Sequence, residues 1–275
     1  MPRVTVNNIS IHYQTMGQGP DVVMIHGIAS SLGFWYFGVV PILIRAGASF
    51  RVTIYDLRGH GYSDMPELGY TSADMADDLA ALLDSLGIEK PHFVGHSFGG
   101  LVALHYAVLH PENVAKLVVA DTGIPAVQSS RKSKPIWEVW GSVLKRFGVS
   151  IDEDKADDID YLIQQTQKLR EERGRTSRAE AGLLLRLERL ADLAKKTSLM
   201  EDFRAIAGLT IEKIGKLTHP ILASYGERSP SMASYRYLSE NLPNCRSIII
   251  PGAGHFHPLE RSDEFVHHVR EHLEG

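Results

Sequence analysis

A serine flanked by glycines is the residue of this 275-residue chain whose setting most strongly suggests chemistry. Ser97 stands in GHSFGG, residues 95–100, between a β-branched run and a helical pattern. A G-x-S-x-G sequence in that setting is typical of a sharp, strained turn, because small glycines let backbone segments pass closely while the hydroxyl is held up at a helix N-terminus. The spacing therefore makes Ser97 the candidate nucleophile.

A base must lie near that serine, because a serine hydroxyl is a weak nucleophile at neutral pH. The chain has 13 histidines, and His255 stands apart from the others in PGAGHFHPLE. Small residues after a strand make a turn there that can project an imidazole over a sheet edge. His257, two residues further on, is the close rival. We expect His255 to take the proton of Ser97.

Acyl transfer also needs hydrogen-bond donors for a developing oxyanion. One is expected from the backbone N–H of Phe98, the residue after the nucleophile. The other is expected from the loop after DVVMIH, where His26-Gly27-Ile28 bends the chain back, so that Ile28 contributes through its main chain alone. We expect His26 to orient this loop by hydrogen bonding rather than to titrate in catalysis.

Short buried strands alternating with helices must position these residues. The runs DVVMIH, RVTIYD, HFVGHS and KLVVAD are β-branched and end in a polar residue or a glycine turn, which indicates strands buried on both faces of a parallel sheet. Helical stripes lie between them at 72–86, with Ser72 as N-cap and Gly87 as stop, and at 98–109. This alternation predicts an α/β fold in which the carboxyl ends of the strands share one edge.

An insertion interrupts this rhythm after KLVVAD, and the strands return only with PILASYG. The interval 126–215 holds helical patterns, which predicts a helical cap inserted between the core segments 1–125 and 216–275. Trp137 and Trp140 recur at helical spacing within the cap. They fit either packing of the cap on the core or the lining of an apolar substrate pocket, and the two can coexist.

The bulk composition favours a globular protein that acts on a small molecule. With 44% hydrophobic residues, a formal net charge of -4 and a pI near 6.3, the chain offers no electrostatic case for nucleic acid or an anionic membrane as its main partner. No apolar run reaches the roughly 18 residues of a spanning helix. The single cysteine, Cys245, and an N-terminus without an apolar secretory stretch predict a reduced, cytoplasmic protein.

Four motifs together resemble the α/β-hydrolase superfamily, in its cap-bearing branch: HGIASS at 26–31, DLRGHGYSD at 56–64, GHSFGG at 95–100 and GAGHFHPLE at 252–260. They fall in the order and spacing of that family. The resemblance covers the predicted core but not the cap, and it implies that Ser97 and His255 are the hydrolase serine and histidine. Within the second motif, Asp56, Arg58 and His60 are expected to brace their loop through turn hydrogen bonds.

The resemblance implies hydrolysis of an ester-like bond (carboxylic ester, lactone or thioester) of a small, moderately hydrophobic substrate through an acyl-enzyme, with no metal or organic cofactor. Haloalkane dehalogenases and epoxide hydrolases are set aside, because they use an aspartate where this chain has Ser97. Hydrolases of carbon-carbon bonds usually have a tryptophan where this chain has Phe256. Three alternatives stay open: hydrolysis of a carbon-carbon bond, a cofactor-free perhydrolase (haloperoxidase) on the same triad, and a ligand receptor with weak turnover.

The acid that supports the histidine is not where most relatives of this family have it. They supply an aspartate two residues beyond a G-E-x turn after the penultimate strand, and Ser229 occupies that position in YGERSP. Asp121, at the end of KLVVAD, resembles the acid of relatives that take it from the strand before the cap, and it is our predicted acid. Glu227, reaching across from its own turn, is the alternative. A chain with no acid, acting as a weak hydrolase or a receptor, is the third possibility.

Overall fold

One sheet of eight strands organises the computed structural model, which describes residues 2–47, 49–128, 144, 149–155, 158–173 and 188–275. Its strands are β1 (Arg3–Val6), β2 (Ile9–Gly17), β3 (Asp21–Ile25), β4 (Arg51–Tyr55), β5 (His92–His96), β6 (Leu117–Ala120), β7 (Ile221–Gly226) and β8 (Cys245–Ile250). They lie in the order β1-β2-β4-β3-β5-β6-β7-β8. β2 pairs antiparallel with β1 and β4, and the pairs from β4 to β8 are parallel. The predicted, mostly parallel sheet is therefore observed.

The helices of the sheet-bearing part alternate with these strands. They are α1 (Gly33–Gly38), α2 (Val40–Arg45), α3 (Ser72–Leu86), α4 (Phe98–Leu109), α5 (Pro125–Gln128), then α7 (Leu199–Asp202), α8 (Ile211–Ile214), α9 (Met232–Asn241), α10 (His257–Glu260) and α11 (Ser262–Glu274), while α6 (Ile159–Arg173) belongs to the segment between α5 and α7. The predicted cap of α3 is wrong by one residue. Thr71, not Ser72, is the N-cap, because its hydroxyl accepts from the Asp74 amide while the Asp74 carboxylate accepts from the Thr71 amide. Gly87 ends the helix in the left-handed conformation, as predicted.

The order of the strands creates a crevice at one edge of the sheet. From β3 the chain moves to β4 on one side and then to β5 on the other side of β3. In an open parallel sheet, such a reversal leaves a gap outside the carboxyl ends of the two strands, and ligands bind there. The loop after β3 and the turn after β5, which carries Ser97, both begin at this gap.

The strands that end at this edge are buried on both faces, which is why they read as continuous apolar runs. In β3, the side chains of Val22 and Met24 pack in one cluster with Trp35 of α1 and Phe265 of α11, and all four are fully buried. The Trp35 and Phe265 rings are stacked with centroids 6.3 Å apart. Dense packing of this kind holds the strand ends, and the residues attached to them, in fixed positions.

The chain divides into two compact units. Met1–Ser130 together with Ser198–Gly275 contain the whole sheet, and Arg131–Thr197 form the second unit. The described residues of the second unit hold α6 and a helical stretch at 188–196, and no strand. This unit falls within the predicted insertion 126–215, and its role as a cap stays a prediction. Among the described residues, no helix has both the length and the hydropathy to cross a membrane.

Candidate active site

Ser97 lies in the turn between β5 and α4, in a strained backbone conformation. Its φ of 55 and ψ of -122 are disfavoured for a residue with a Cβ, and such a conformation costs about 1–3 kcal/mol. The surroundings hold it: the Ser97 amide donates to the carbonyl of Ala120 at 2.9 Å, and a Cβ on Gly99 would collide with the carbonyl oxygens of Ile25 and His26. Ser97, half-buried, is thus fixed at the crevice edge, in the turn that its motif predicts.

The imidazole of His255, on the loop after β8, is hydrogen-bonded to the carboxylate of Asp121, which follows β6. His255 Nδ1 lies 2.9 Å from Asp121 Oδ1, and 17% of the His255 side chain is exposed whereas that of Asp121 is fully buried. Because an ionised carboxylate can only accept, Nδ1 carries a proton, and in the neutral ring Nε2 is the nitrogen with a free lone pair. The structure therefore brings the predicted base and the predicted acid together, with the basic nitrogen on the side away from the carboxylate.

The carboxylate of Asp121 has further donors that keep it ionised. Ser229 Oγ donates to Asp121 Oδ1 at 2.6 Å, and the Gly226 amide donates to Oδ2 at 3.1 Å. Burial alone would raise the pKa of Asp121, but the interactions with His255 and with nearby His257, together with the hydrogen bond from Ser229, outweigh it and hold the pKa well below its ordinary value. Sequence reasoning identified Ser229 only as the place of a missing acid. Its role as a donor to the acid depends on two residues 108 apart in the chain.

The two rival residues lie elsewhere in the same region. His257 is fully buried, its Nε2 is 2.9 Å from Ser224 Oγ, and its Nδ1 is 3.6 Å from Asp121 Oδ2. Since both of its nitrogens face the interior, His257 cannot reach a substrate at the crevice. Glu227 is exposed, and its carboxylate accepts from the Gly252 amide at 2.8 Å rather than from a histidine. The geometry thus favours His255 and Asp121 over His257 and Glu227.

A further residue, His96, joins the nucleophile turn to the base loop. His96 Nε2 donates to the carbonyl of His255 at 2.8 Å, and the two ring centroids are 4.8 Å apart. The ring of Phe34 also stacks on that of His96, with the two centroids 4.6 Å apart. Burial, and then the nearby charge of His255, lower the pKa of His96 well below its ordinary value, so this ring stays neutral. Sequence reasoning missed His96, although its position directly before Ser97 is the signal that could have revealed it.

The hydroxyl of Ser97 makes no hydrogen bond within the described part of the chain. Its link to His255 runs through His96, the residue before it, which holds the His255 main chain. Hydrogen bonds between a nucleophile and its base are often long before substrate binds and tighten only in the reactive complex. The predicted base and the predicted nucleophile therefore lie at the same sheet edge, and we expect the hydrogen bond between them to form when substrate binds.

Two backbone amides beside Ser97 are available as donors. The amides of Ile28 and Phe98 donate to no residue in the described ranges. Phe98 opens α4, where the first amides of a helix have no intrahelical acceptor. The loop that carries Ile28 touches the nucleophile, since a Cβ on Gly27 would lie 2.8 Å from Ser97 Cβ and 3.3 Å from its Oγ. Both predicted oxyanion donors thus lack an acceptor among the described residues and lie next to the predicted nucleophile.

The predicted substrate-binding residues Trp137 and Trp140 lie outside the described residues. Within the described part of the chain, the group of side chains able to hold a metal ion is His267, His268 and Glu271 on α11, whose ligand atoms lie within 4.8 Å of one another. The Glu271 carboxylate already accepts from Arg246 at 2.8 Å. None of these side chains takes part in the hydrogen bonds of His255 and Asp121.

Comparison with known proteins agrees with this fold. Residues 20–262 match the family model described as the alpha/beta hydrolase fold. The chain is 30% identical to the pimeloyl-[acyl-carrier protein] methyl ester esterase of Chromobacterium violaceum, over 97% of this chain and 99% of that protein. It is 28% identical to the 2-(acetamidomethylene)succinate hydrolase of Mesorhizobium japonicum, over 92% and 88% of the two chains. The crystal structure of the enol-lactonase from Burkholderia xenovorans matches with a TM-score of 0.71 at 22% identity, over 100% of both chains.

The chain therefore belongs to the α/β-hydrolase family. The family match and the full-length relative confirm the predicted fold class and the prediction that the protein is a hydrolase. The likeness to the lactonase structure, at 22% identity, supports the fold alone.

Proposed function

We propose that this protein hydrolyses an ester-like bond (a carboxylic ester, a lactone or a thioester) of a small, moderately hydrophobic substrate through an acyl-enzyme on Ser97. The observation that carries this proposal is the pair formed by His255 Nδ1 and the buried, ionised Asp121, 2.9 Å apart, at the same sheet edge as the strained Ser97. A base with a fixed tautomer beside a serine at a helix N-terminus is the arrangement that nucleophilic acyl transfer needs.

The residues have distinct roles in the proposed reaction. Ser97 Oγ attacks the carbonyl carbon while its proton passes to His255 Nε2, and the negative charge of Asp121 stabilises the imidazolium that forms. The carbonyl oxygen becomes an oxyanion that accepts from the Ile28 and Phe98 amides. His255 then protonates the leaving oxygen or sulfur as its bond to carbon breaks. A water molecule, deprotonated by His255, releases the acid from Ser97 by the same steps in reverse.

The relatives support this class of substrate. One relative similar to this chain over its full length is a pimeloyl-[acyl-carrier protein] methyl ester esterase, and another is a 2-(acetamidomethylene)succinate hydrolase. Phe256 stands where hydrolases of carbon-carbon bonds usually have a tryptophan, and this difference favours ester hydrolysis over carbon-carbon bond hydrolysis. Its ring centroid lies 5.1 Å from that of His255. A cytoplasmic location and the absence of a nucleic-acid partner stay predictions from composition.

A panel of p-nitrophenyl esters of increasing chain length tests the proposal. We expect turnover that depends on acyl length, and a fall in kcat of about a millionfold, to a small residual rate, in Ser97→Ala. The matched control is Ser239→Ala, which removes a half-buried hydroxyl that donates to the Arg236 carbonyl in α9. Unchanged hydrolysis in Ser97→Ala would refute the assignment of the nucleophile. A burst of one product per protein with negligible steady-state turnover would instead identify a receptor.

A further inference from the structure

His26 and the Gly27–Ile28 peptide group form a hydrogen-bonded chain that ends at the Ile28 amide, which donates to no residue in the described ranges. The Leu57 amide donates to His26 Nε2 at 3.1 Å, and His26 Nδ1 lies 2.7 Å from the carbonyl oxygen of Gly27. An amide is only a donor and a carbonyl only an acceptor, so Nε2 must be unprotonated and Nδ1 must carry the hydrogen. Both contacts thus define a single neutral tautomer of His26.

This tautomer fixes the direction of the proposed oxyanion donor. The carbonyl of Gly27 and the N–H of Ile28 belong to the same peptide group, and in a trans peptide they point in opposite directions. No cis peptide bond occurs in the described residues. When His26 Nδ1–H holds the Gly27 oxygen on one side, the Ile28 N–H is therefore turned to the other side, away from His26. Donation to a carbonyl also polarises its peptide group, which makes the N–H of the same group a stronger donor.

The rest of the loop is tied so that this peptide cannot easily rotate. The Ala29 amide donates to His60 Nε2 at 3.2 Å, and the Leu32 amide donates to Asp56 Oδ1 at 2.7 Å. Ala29 has a φ of 63, a left-handed conformation that a residue with a Cβ adopts only when its neighbours hold it. The predicted bracing by Asp56 and His60 thus acts on the loop after β3 as well as on their own loop.

The environment of His26 keeps the ring in this neutral form. The side chain is fully buried, and burial lowers its pKa, an effect that the charge of Asp56, 3.9 Å from His26 Nε2, only partly opposes. A protonated ring would carry a hydrogen on Nε2, facing the Leu57 amide, and the contact that fixes the tautomer would be lost.

We propose that His26 is a positioning residue for the reaction: its Nδ1–H, through the Gly27 carbonyl, orients and polarises the Ile28 amide that binds the oxyanion. The inference rests on the proposed function, since it assigns the Ile28 amide its role there. Its effect falls on the transition state, where the oxyanion exists, and not on substrate binding.

Three variants of one residue test this inference. An asparagine amide places its nitrogen where imidazole has Nδ1, so His26→Asn keeps the donor to Gly27. A glutamine amide instead reaches the place of Nε2, so His26→Gln keeps a partner for Leu57 and loses that donor. His26→Leu loses both. We expect kcat for a p-nitrophenyl ester to stay within about threefold in His26→Asn. In His26→Gln and His26→Leu, we expect kcat to fall about 10- to 100-fold with KM unchanged. This fall is smaller than the loss seen when a whole oxyanion donor is removed, because the Ile28 amide is still present.

A transition-state analogue separates positioning from a structural role. The affinity of a trifluoromethyl ketone, which forms an oxyanion on Ser97, should fall in parallel with kcat/KM across the three variants, while product inhibition stays constant. His105→Leu is the matched control, since His105 is also buried and bonded to one side chain, Ser72 at 2.9 Å, in the contact between α3 and α4. It should leave kcat within about threefold.

The outcomes distinguish this inference from the proposed function. If Ser97→Ala abolishes hydrolysis and His26→Gln retains it, or if Asn and Gln lose equally, His26 does not orient the oxyanion donor. If Ser97→Ala leaves hydrolysis unchanged, the proposed function itself fails. Should His26→Leu not fold, the comparison of Asn with Gln still decides between the two outcomes.

Discussion

Two carboxylates follow neighbouring strands, and they differ in every property that a supporting acid needs. Asp121, after β6, is fully buried and accepts from His255, Ser229 and the Gly226 amide. Glu227, after β7, is exposed and accepts from a backbone amide of the next loop. An acid can stabilise an imidazolium only where water does not screen the charge and donors hold the carboxylate in place. The comparison shows that the acid position is defined by converging donors, whichever strand carries it.

The largest expected effect is a fall in kcat when Asp121 is neutralised, in contrast with little change when Glu227 is neutralised. Asp121→Asn should lower kcat for a p-nitrophenyl ester by about a thousandfold to ten-thousandfold, because the amide no longer supports the imidazolium and favours the wrong tautomer of His255. Glu227→Gln should stay within about threefold. Steady-state kinetics of the two purified variants make the measurement. A loss of under about tenfold in the first with a thousandfold or more in the second would reverse the assignment.

A smaller, compensating effect should follow from moving the acid to the neighbouring turn. Ser229 Oγ and His255 Nδ1 lie 2.6 and 2.9 Å from the same oxygen, Asp121 Oδ1, so a carboxylate on residue 229 can approach the imidazole. We expect Asp121→Asn with Ser229→Asp to recover about tenfold in kcat over Asp121→Asn alone. The control is Asp121→Asn with Ser229→Asn, which has the same size but no charge. Equal rates in the two double variants would show that residue 229 cannot serve as the acid position.

Removing the hydroxyl of Ser229 should modestly lower both the stability of the fold and kcat. Ser229 Oγ donates to Asp121 and accepts from the Ser231 amide at 2.9 Å. Ser229→Ala should lower the free energy of unfolding by about 1–2 kcal/mol, the usual effect of losing a buried hydrogen bond, and lower kcat by less than about tenfold, since His255 still holds the carboxylate. Urea denaturation and ester kinetics measure the two. The control Ser239→Ala should change neither, and unaltered stability and kcat in Ser229→Ala would mean that this donor is dispensable.

The smallest expected effect is on the stability of the protein in acid. The folded protein holds the pKa of Asp121 below its ordinary value of 3.8, so at acid pH the unfolded chain binds more protons. The carboxylate thus contributes stability that is complete above about pH 5 and is lost as the pH falls through the folded pKa. Asp121→Asn lacks this contribution at every pH. The difference in free energy of unfolding between the two proteins should shrink on acidification, and a difference that stays constant or grows would contradict the depressed pKa.

The local parts of the site could be predicted from sequence, because short motifs define them. Ser97, Phe98 and the 26–28 bend depend on contacts between residues close in the chain and on glycines that only a strand-to-helix turn requires. The strands of the parallel sheet could be predicted for a similar reason, since burial on both faces leaves a continuous apolar run.

The choice of acid could only be ranked from sequence, because it depends on side chains far apart in the chain. Asp121 and Ser229 meet through the parallel pairing of β6 with β7, in which the Asp121 amide donates to the Ser224 carbonyl. The sequence YGERSP alone does not show that Ser229 is buried while Glu227 is exposed to solvent. The helix α1–α2 region and α9 were also missed, since glycine and proline interrupt the first and weak apolar periodicity hides the second.

Covalent labelling tests most directly the central claim that the Asp121–His255 pair activates Ser97. A fluorophosphonate ester reacts with an activated serine, and mass spectrometry of the digested protein locates the adduct. We expect one adduct, on the peptide that contains Ser97, formed at least about a hundredfold more slowly in Asp121→Asn and at the original rate in Glu227→Gln. An adduct on another residue, or labelling of Ser97 at the same rate in Asp121→Asn, would contradict it.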